Sequence, residues 1–211
     1  MKKILRFLPL IVVLFTLAAC SSTNTSNEKM YIEQAKLTDE EQAILDLVGE
    51  NGSPYILDFI VDDTVKTLQI NTYELQDGKW HLISGGGGHS FEDKYGRIAL
   101  SFDKIENGMR TAIHSEHAKG STSYHKPKEE AIEGMGTATS RLSSRTNIEY
   151  EKEIPLVMEV STTKNEVRSF DPDYGFKNPE KYKELGYEKV YVITCMFSQK
   201  TLSELDDAMV K

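Results

Sequence analysis

Apolar residues fall on alternate positions through much of the chain, and that pattern predicts strands. Between Tyr55 and Val61 the run Leu57, Phe59, Val61 keeps period two, and Val65–Leu75 carries Leu68 and Ile70 on one face. Asp77-Gly78 then predicts a tight hairpin turn into Lys79–Ser84, where Trp80 and Leu82 share a face. A second hairpin is expected at Asn107-Gly108, joining Arg97–Lys104 (Ile98, Leu100, Phe102) to Met109–His117. Further strands are expected at Thr137–Leu142, Ile148–Glu151, Leu156–Thr162 and Val167–Phe170. Lys189–Ser198 is apolar on both faces: Tyr191, Ile193, Cys195 and Phe197 on one, Val190, Val192 and Met196 on the other. Such a strand belongs in the middle of a sheet with both sides covered.

Helical periodicity is sparse. Residues 38–48 predict one helix, with Thr38 and Glu41 as a reciprocal cap, Ile44, Leu45 and Val48 as its apolar face and Gly49 as its stop. Asn178-Pro179 predicts a short helix ending before Gly186, and Thr201–Met209 a terminal one. Ala118–Ser140 is polar and broken by Pro127, Gly134 and Gly136, so it is expected to be a long irregular excursion with one helical turn at Lys128–Glu133. Roughly seven to nine short strands with few helices define a mainly β fold: an antiparallel β-sandwich with one N-terminal helix and short peripheral helices.

The first residues break from this pattern. Lys2, Lys3 and Arg6 precede an uncharged apolar run from Leu8 to Ala19. The run is shorter than the roughly 20 residues a spanning helix needs, and Pro9 interrupts its start. It reads as an export signal. Leu17-Ala18-Ala19-Cys20 closes it and resembles the lipobox of bacterial lipoproteins. The resemblance implies that Cys20 takes a diacylglyceryl group on its sulfur and that the chain is cut before it. Two acyl chains suffice for stable membrane anchoring. Ser21–Lys29 is polar, and nine residues reach about 30 Å when extended. The expected organisation is therefore a signal at 1–19, a lipidated Cys20 with a tether at 20–29, and one sandwich domain at 30–211. Three runs, Asp77-Gly78-Lys79-Trp80, Glu153-Ile154-Pro155-Leu156 and Val190-Tyr191-Val192-Ile193-Thr194, resemble uncharacterised lipoproteins of Gram-positive bacteria. That resemblance implies no activity and no site residues.

Charge and cysteine usage narrow the possible partners. Cutting before Cys20 removes three cations, Lys2, Lys3 and Arg6, and takes the formal net charge from −8 to −11. An acidic surface argues against nucleic acid as a partner. With Cys20 committed to lipid, Cys195 has no cysteine to pair with, so stability outside the cell must come from the core.

Candidate chemistry is thin. His114, Glu116 and His117, with His125 further on, offer imidazole and carboxylate ligands for a transition metal. Strand neighbours three apart face opposite ways, so a shared metal needs a turn there. Gly85–Gly88 lacks the Lys and Ser/Thr of a phosphate loop. Asp171, Asp173 and Glu180 are carboxylates that calcium would accept, though a proline turn explains them equally. Cys195, among apolar neighbours, reads as a core thiol. No catalytic residue and no cofactor is assigned. The expected function is a lipid-anchored protein on the extracytoplasmic side of the cell membrane, with a non-enzymatic binding or envelope role. The alternatives are a metal-assisted hydrolase and a solute-binding receptor of a transporter.

Overall fold

A computed structural model describes residues 29–48, 54–85, 88–90, 92–126 and 132–209. The expected signal, Cys20 and most of the tether lie outside them. The strand with two apolar faces sits where that pattern requires. β12 (Lys189–Ser198) pairs antiparallel with β3 (Thr67–Gln76) on one side and β11 (Ile154–Thr162) on the other. β4 (Lys79–Ser84) and β9 (Gly136–Arg141) complete that sheet in the order β4-β3-β12-β11-β9, and β5 (Gly88–Ser90) also pairs with β3. The first sheet is likewise antiparallel. It contains β1 (Tyr31–Gln34), β2 (Tyr55–Ile60), β6 (Tyr95–Ser101), β7 (Gly108–Ser115), β8 (Lys119–His125) and β10 (Thr146–Asn147), in the order β10-β1-β2-β6-β7-β8.

The sheets bury their facing sides in one core. Ile32, Leu57, Ile98 and Leu100 from the first meet Leu68, Leu156, Ile193 and Phe197 from the second, each at most 1 % exposed. The Phe59 and Phe197 rings meet edge-on across the gap, with centroids 5.2 Å apart. Gly96 admits the Phe59 ring, since a Cβ there would lie 2.5 Å from its Cζ. The fold is an antiparallel β-sandwich with peripheral helices.

The outer face of the second sheet is covered as well. Met158, Val160, Val190 and Val192 pack beneath α2 (Pro172–Lys177) and α3 (Pro179–Leu185), with Tyr182 buried among them. Trp80 closes the edge, its ring 5.6 Å from Phe176 and its Nε1 donating to the Phe176 carbonyl at 2.9 Å. Gly186, at φ +61°, stops α3 in the left-handed conformation that glycine adopts most readily. α1 (Asp39–Val48) forms with its reciprocal Thr38–Glu41 cap in place, at 2.8 and 3.2 Å. Of its expected apolar face, Ile44 is 60 % exposed and Leu45 is half-buried. α4 (Leu202–Met209) follows β12.

Several local expectations change. Part of the supposed excursion is β8, which pairs with β7 through seven residues. Ile148–Glu151 turns rather than extends, with Glu151 at φ +59°, and the strand there is the two-residue β10. Val167–Phe170 finds no ladder. The backbone amides of Arg168 and Phe170 instead donate to the Tyr187 and Tyr182 hydroxyls. Asp171 caps α2 by accepting from the amides of Asp173 and Tyr174. The helical turn expected at Lys128–Glu133 lies mostly outside the described residues.

Candidate functional site: a polar groove on the first sheet

Strand alternation sends one set of side chains of the first sheet inward and leaves the other to line a groove of about 790 Å³ on its outer face. Register arranges these residues in rows. Tyr31, Ile60 and Tyr95 stand side by side on β1, β2 and β6. Next to them runs a charged row, Glu33, Asp58, Arg97 and His114, which ends at Lys119 on β8. Ser115 and Glu116, where β7 leads into its turn, close the far end.

Most of these charges are already engaged. Arg97 donates to Asp58 through Nε at 2.7 Å and Nη2 at 3.3 Å, and to Glu41 of α1 through Nη1 at 2.7 Å. The Asp58 contact, then the Glu41 one, hold the guanidinium firmly protonated against its partial burial. Arg97 therefore ties α1 to the sheet. At the other end Arg145 grips Glu33 with two bonds of 2.9 Å, and its Cζ lies 3.8 Å from the Tyr31 ring centroid. Planar, doubly bonded pairing of this kind suits arginine and not lysine.

The β7–β8 turn is clamped by a residue from a distant segment. Asp93 accepts from the His117 amide at 2.9 Å and bonds His117 Nδ1 at 2.7 Å. A hydrogen bond from the Ser115 side chain, followed by those from His117, lowers the Asp93 carboxyl to about 2. The same carboxylate raises His117 above its ordinary value. Beside them the Tyr95 hydroxyl donates to Glu116 at 3.2 Å, and that charge pushes the phenol up.

The four residues expected to offer metal ligands separate. Glu116 and His117 come together with Asp93, their ligand atoms all within 4.8 Å of one another. His114 points from the charged row, between Arg97 and Lys119. His125 lies at the opposite end of β8, facing Gly108. The turn supplies the reversal a shared site would need, but Asp93 and His117 already bind each other, so an ion must part them to use both.

The remaining candidates are placed elsewhere. Cys195 is wholly buried, and burial drives its thiol well above its ordinary value, opposite to what a nucleophile requires. His89, on β5, packs over Gly120, and burial lowers it. Asp171 is a helix cap and Asp173 pairs with Lys177 at 2.7 Å. Gly86 and Gly87 lie outside the described residues. Sequence reading passed over Tyr31, Glu33, Tyr95, Arg97 and Arg145, which come together only through strand register, and over Asp93, 24 residues from His117. Among the described residues no helix is long and apolar enough to cross a membrane.

No curated protein and no solved structure matches the chain. The YgaN domain family, whose members are uncharacterised, matches residues 31–197, a span that takes in both sheets and the groove. The chain belongs to the YgaN domain family.

Proposed function

We propose that the protein is an extracytoplasmic lipoprotein, anchored to the cell membrane through Cys20, whose sandwich offers the outer face of the first sheet as a non-enzymatic binding surface. The observation that carries the binding role is the groove of about 790 Å³, framed by two tyrosines and an ordered row of charges. Charges that line it are hydrogen-bonded in ways that fix geometry, as at Arg97 with Asp58 and at Glu33 with Arg145, and the buried Cys195 lies outside it. Tyr31 lines the groove two residues after the expected tether, so an anchor at Cys20 would keep β1 within about 30 Å of the membrane surface.

The anchor is tested by feeding cells a clickable fatty acid and following the chain and its Cys20→Ala variant. Wild type takes the label. The variant loses it and is found as uncut precursor or released protein. Undiminished labelling of the variant would contradict the anchor.

A metal-assisted hydrolase is the second reading, favoured by the meeting of Asp93, Glu116 and His117. Metal analysis of the purified protein, followed by zinc and manganese titration, separates the two readings. Stoichiometric metal, lost together in Glu116→Gln and His117→Ala, would favour the hydrolase. The solute-receptor reading wants a cleft between two lobes, and two sheets around a shared core lend it no support.

A further inference from the structure

We infer that the groove recognises a guanidinium or ammonium group on its ligand, held between the exposed Tyr95 ring and the Glu116 carboxylate. The inference rests on reading this face as a binding surface and is independent of the lipid anchor. Of the three carboxylates that line the groove, Glu33 is paired with Arg145 and Asp58 with Arg97, while Glu116 is held by the Tyr95 hydroxyl. Arg97 is itself shared between Asp58 and Glu41. A cation that reaches the Glu116 end is attracted, and an anion there is repelled.

The protein carries its own example of the recognition. At the β1 end the Arg145 guanidinium lies 3.8 Å from the Tyr31 ring centroid while Glu33 binds it twice, which combines a cation–π contact with a paired carboxylate. The same two ingredients recur at the β6 end. Tyr95 is 57 % exposed, and its hydroxyl fixes Glu116 beside it at 3.2 Å. Tyr31 and Tyr95 stand two strand spacings apart, roughly 10 Å, with Ile60 between them. A slender aliphatic stem fits over Ile60 and delivers its charged end to Glu116. Such a stem belongs to an arginine or lysine side chain of a peptide, or to a free alkyl amine.

A metal ion would use the same rim differently. It would have to break the 2.7 Å bond between Asp93 and His117 Nδ1 to gain both as ligands. A guanidinium on Glu116 leaves that clamp intact.

The test is calorimetric titration of the full-length protein, in nonionic detergent with EDTA, against agmatine, acetyl-Gly-Arg-Gly-amide and its neutral isostere acetyl-Gly-citrulline-Gly-amide, both blocked so that the side chain carries the only difference in charge. Agmatine and the arginine peptide should bind, with the citrulline peptide about tenfold weaker and affinity falling as salt rises. Glu116→Gln should weaken the arginine ligands about fivefold, and Tyr95→Leu should do so at a similar scale, with the circular dichroism of both variants unchanged. The tighter of the two cationic probes identifies the source, peptide or free amine. Equal binding of the arginine and citrulline peptides, lost in Tyr95→Leu, would overturn the cation while leaving the groove as a binding surface. Absence of binding by all three at millimolar concentration would overturn both. Saturable binding of manganese or zinc in EDTA-free buffer, with no response to agmatine, would assign the rim to a metal instead.

Discussion

Glu159 is a carboxylate buried where its ionisation is costly. It lies on β11 with 2 % of its surface exposed, between the sheets, and accepts one hydrogen bond, from the Ile105 amide at 2.9 Å. Burial raises its pKa from the ordinary 4.5 to about 7; the Ile105 bond opposes this and the Glu106 charge adds to it. Below pH 4.5 the carboxyl is protonated in folded and unfolded chains alike and costs nothing. Between 4.5 and 7 the unfolded chain ionises while the folded one resists, so stability falls through that window. Above pH 7 the loss is complete, at about 3 kcal/mol from 1.36 kcal/mol per pH step. Glu159→Gln keeps the size and the acceptor and removes the charge. Its new amide protons need a partner, a cost of about 1 kcal/mol. The variant should therefore be about 2 kcal/mol more stable than wild type at pH 8 and lose that advantage by pH 4. Urea unfolding of both proteins at pH 4, 6 and 8 measures the difference, and comparing the two cancels the titration of every other group. A difference that stays the same across the three pH values would refute the reasoning. So would a variant less stable than wild type at pH 8.

Phe197→Ala removes a fully buried ring that meets Phe59 between the sheets and should cost about 3–5 kcal/mol in urea unfolding, with a cooperative transition retained. In Asp93→Asn the His117 imidazole loses the carboxylate that raises it, so its midpoint by NMR should drop back toward the ordinary 6.5. An unchanged midpoint would remove Asp93 as its cause. Asp93 itself, lowered to about 2, favours the folded clamp above pH 4 and releases it as pH falls through 2, so amide exchange at His117 should accelerate in strong acid.

Residues with strong local chemistry announced themselves. The two apolar faces of Lys189–Ser198 required a central strand, and β12 is one. Asp77-Gly78 required a tight turn, and both residues adopt positive φ, at 53° and 80°. β8 stayed hidden because its inward positions include Gly120 and Thr122, so no apolar alternation marks it. α2 was read as a turn because Asp171 and Pro172 begin turns and helices alike. Glu159 is buried because helices cover one face of β11 and the first sheet covers the other, an arrangement that the residues of β11 alone do not announce. The groove is a property of register. Nothing in Tyr31, Ile60 and Tyr95 taken singly says that they will be neighbours, and the Asp93–His117 clamp joins segments whose spacing carries no motif.

The claim that organises the proposed function is that this sandwich stands on a membrane through Cys20. Intact mass spectrometry of the protein extracted from cell membranes tests it most directly. The expected species is a chain that begins at Cys20 and is heavier than the polypeptide by a diacylglyceryl group. An unmodified chain, cut elsewhere or uncut at Met1, would contradict it.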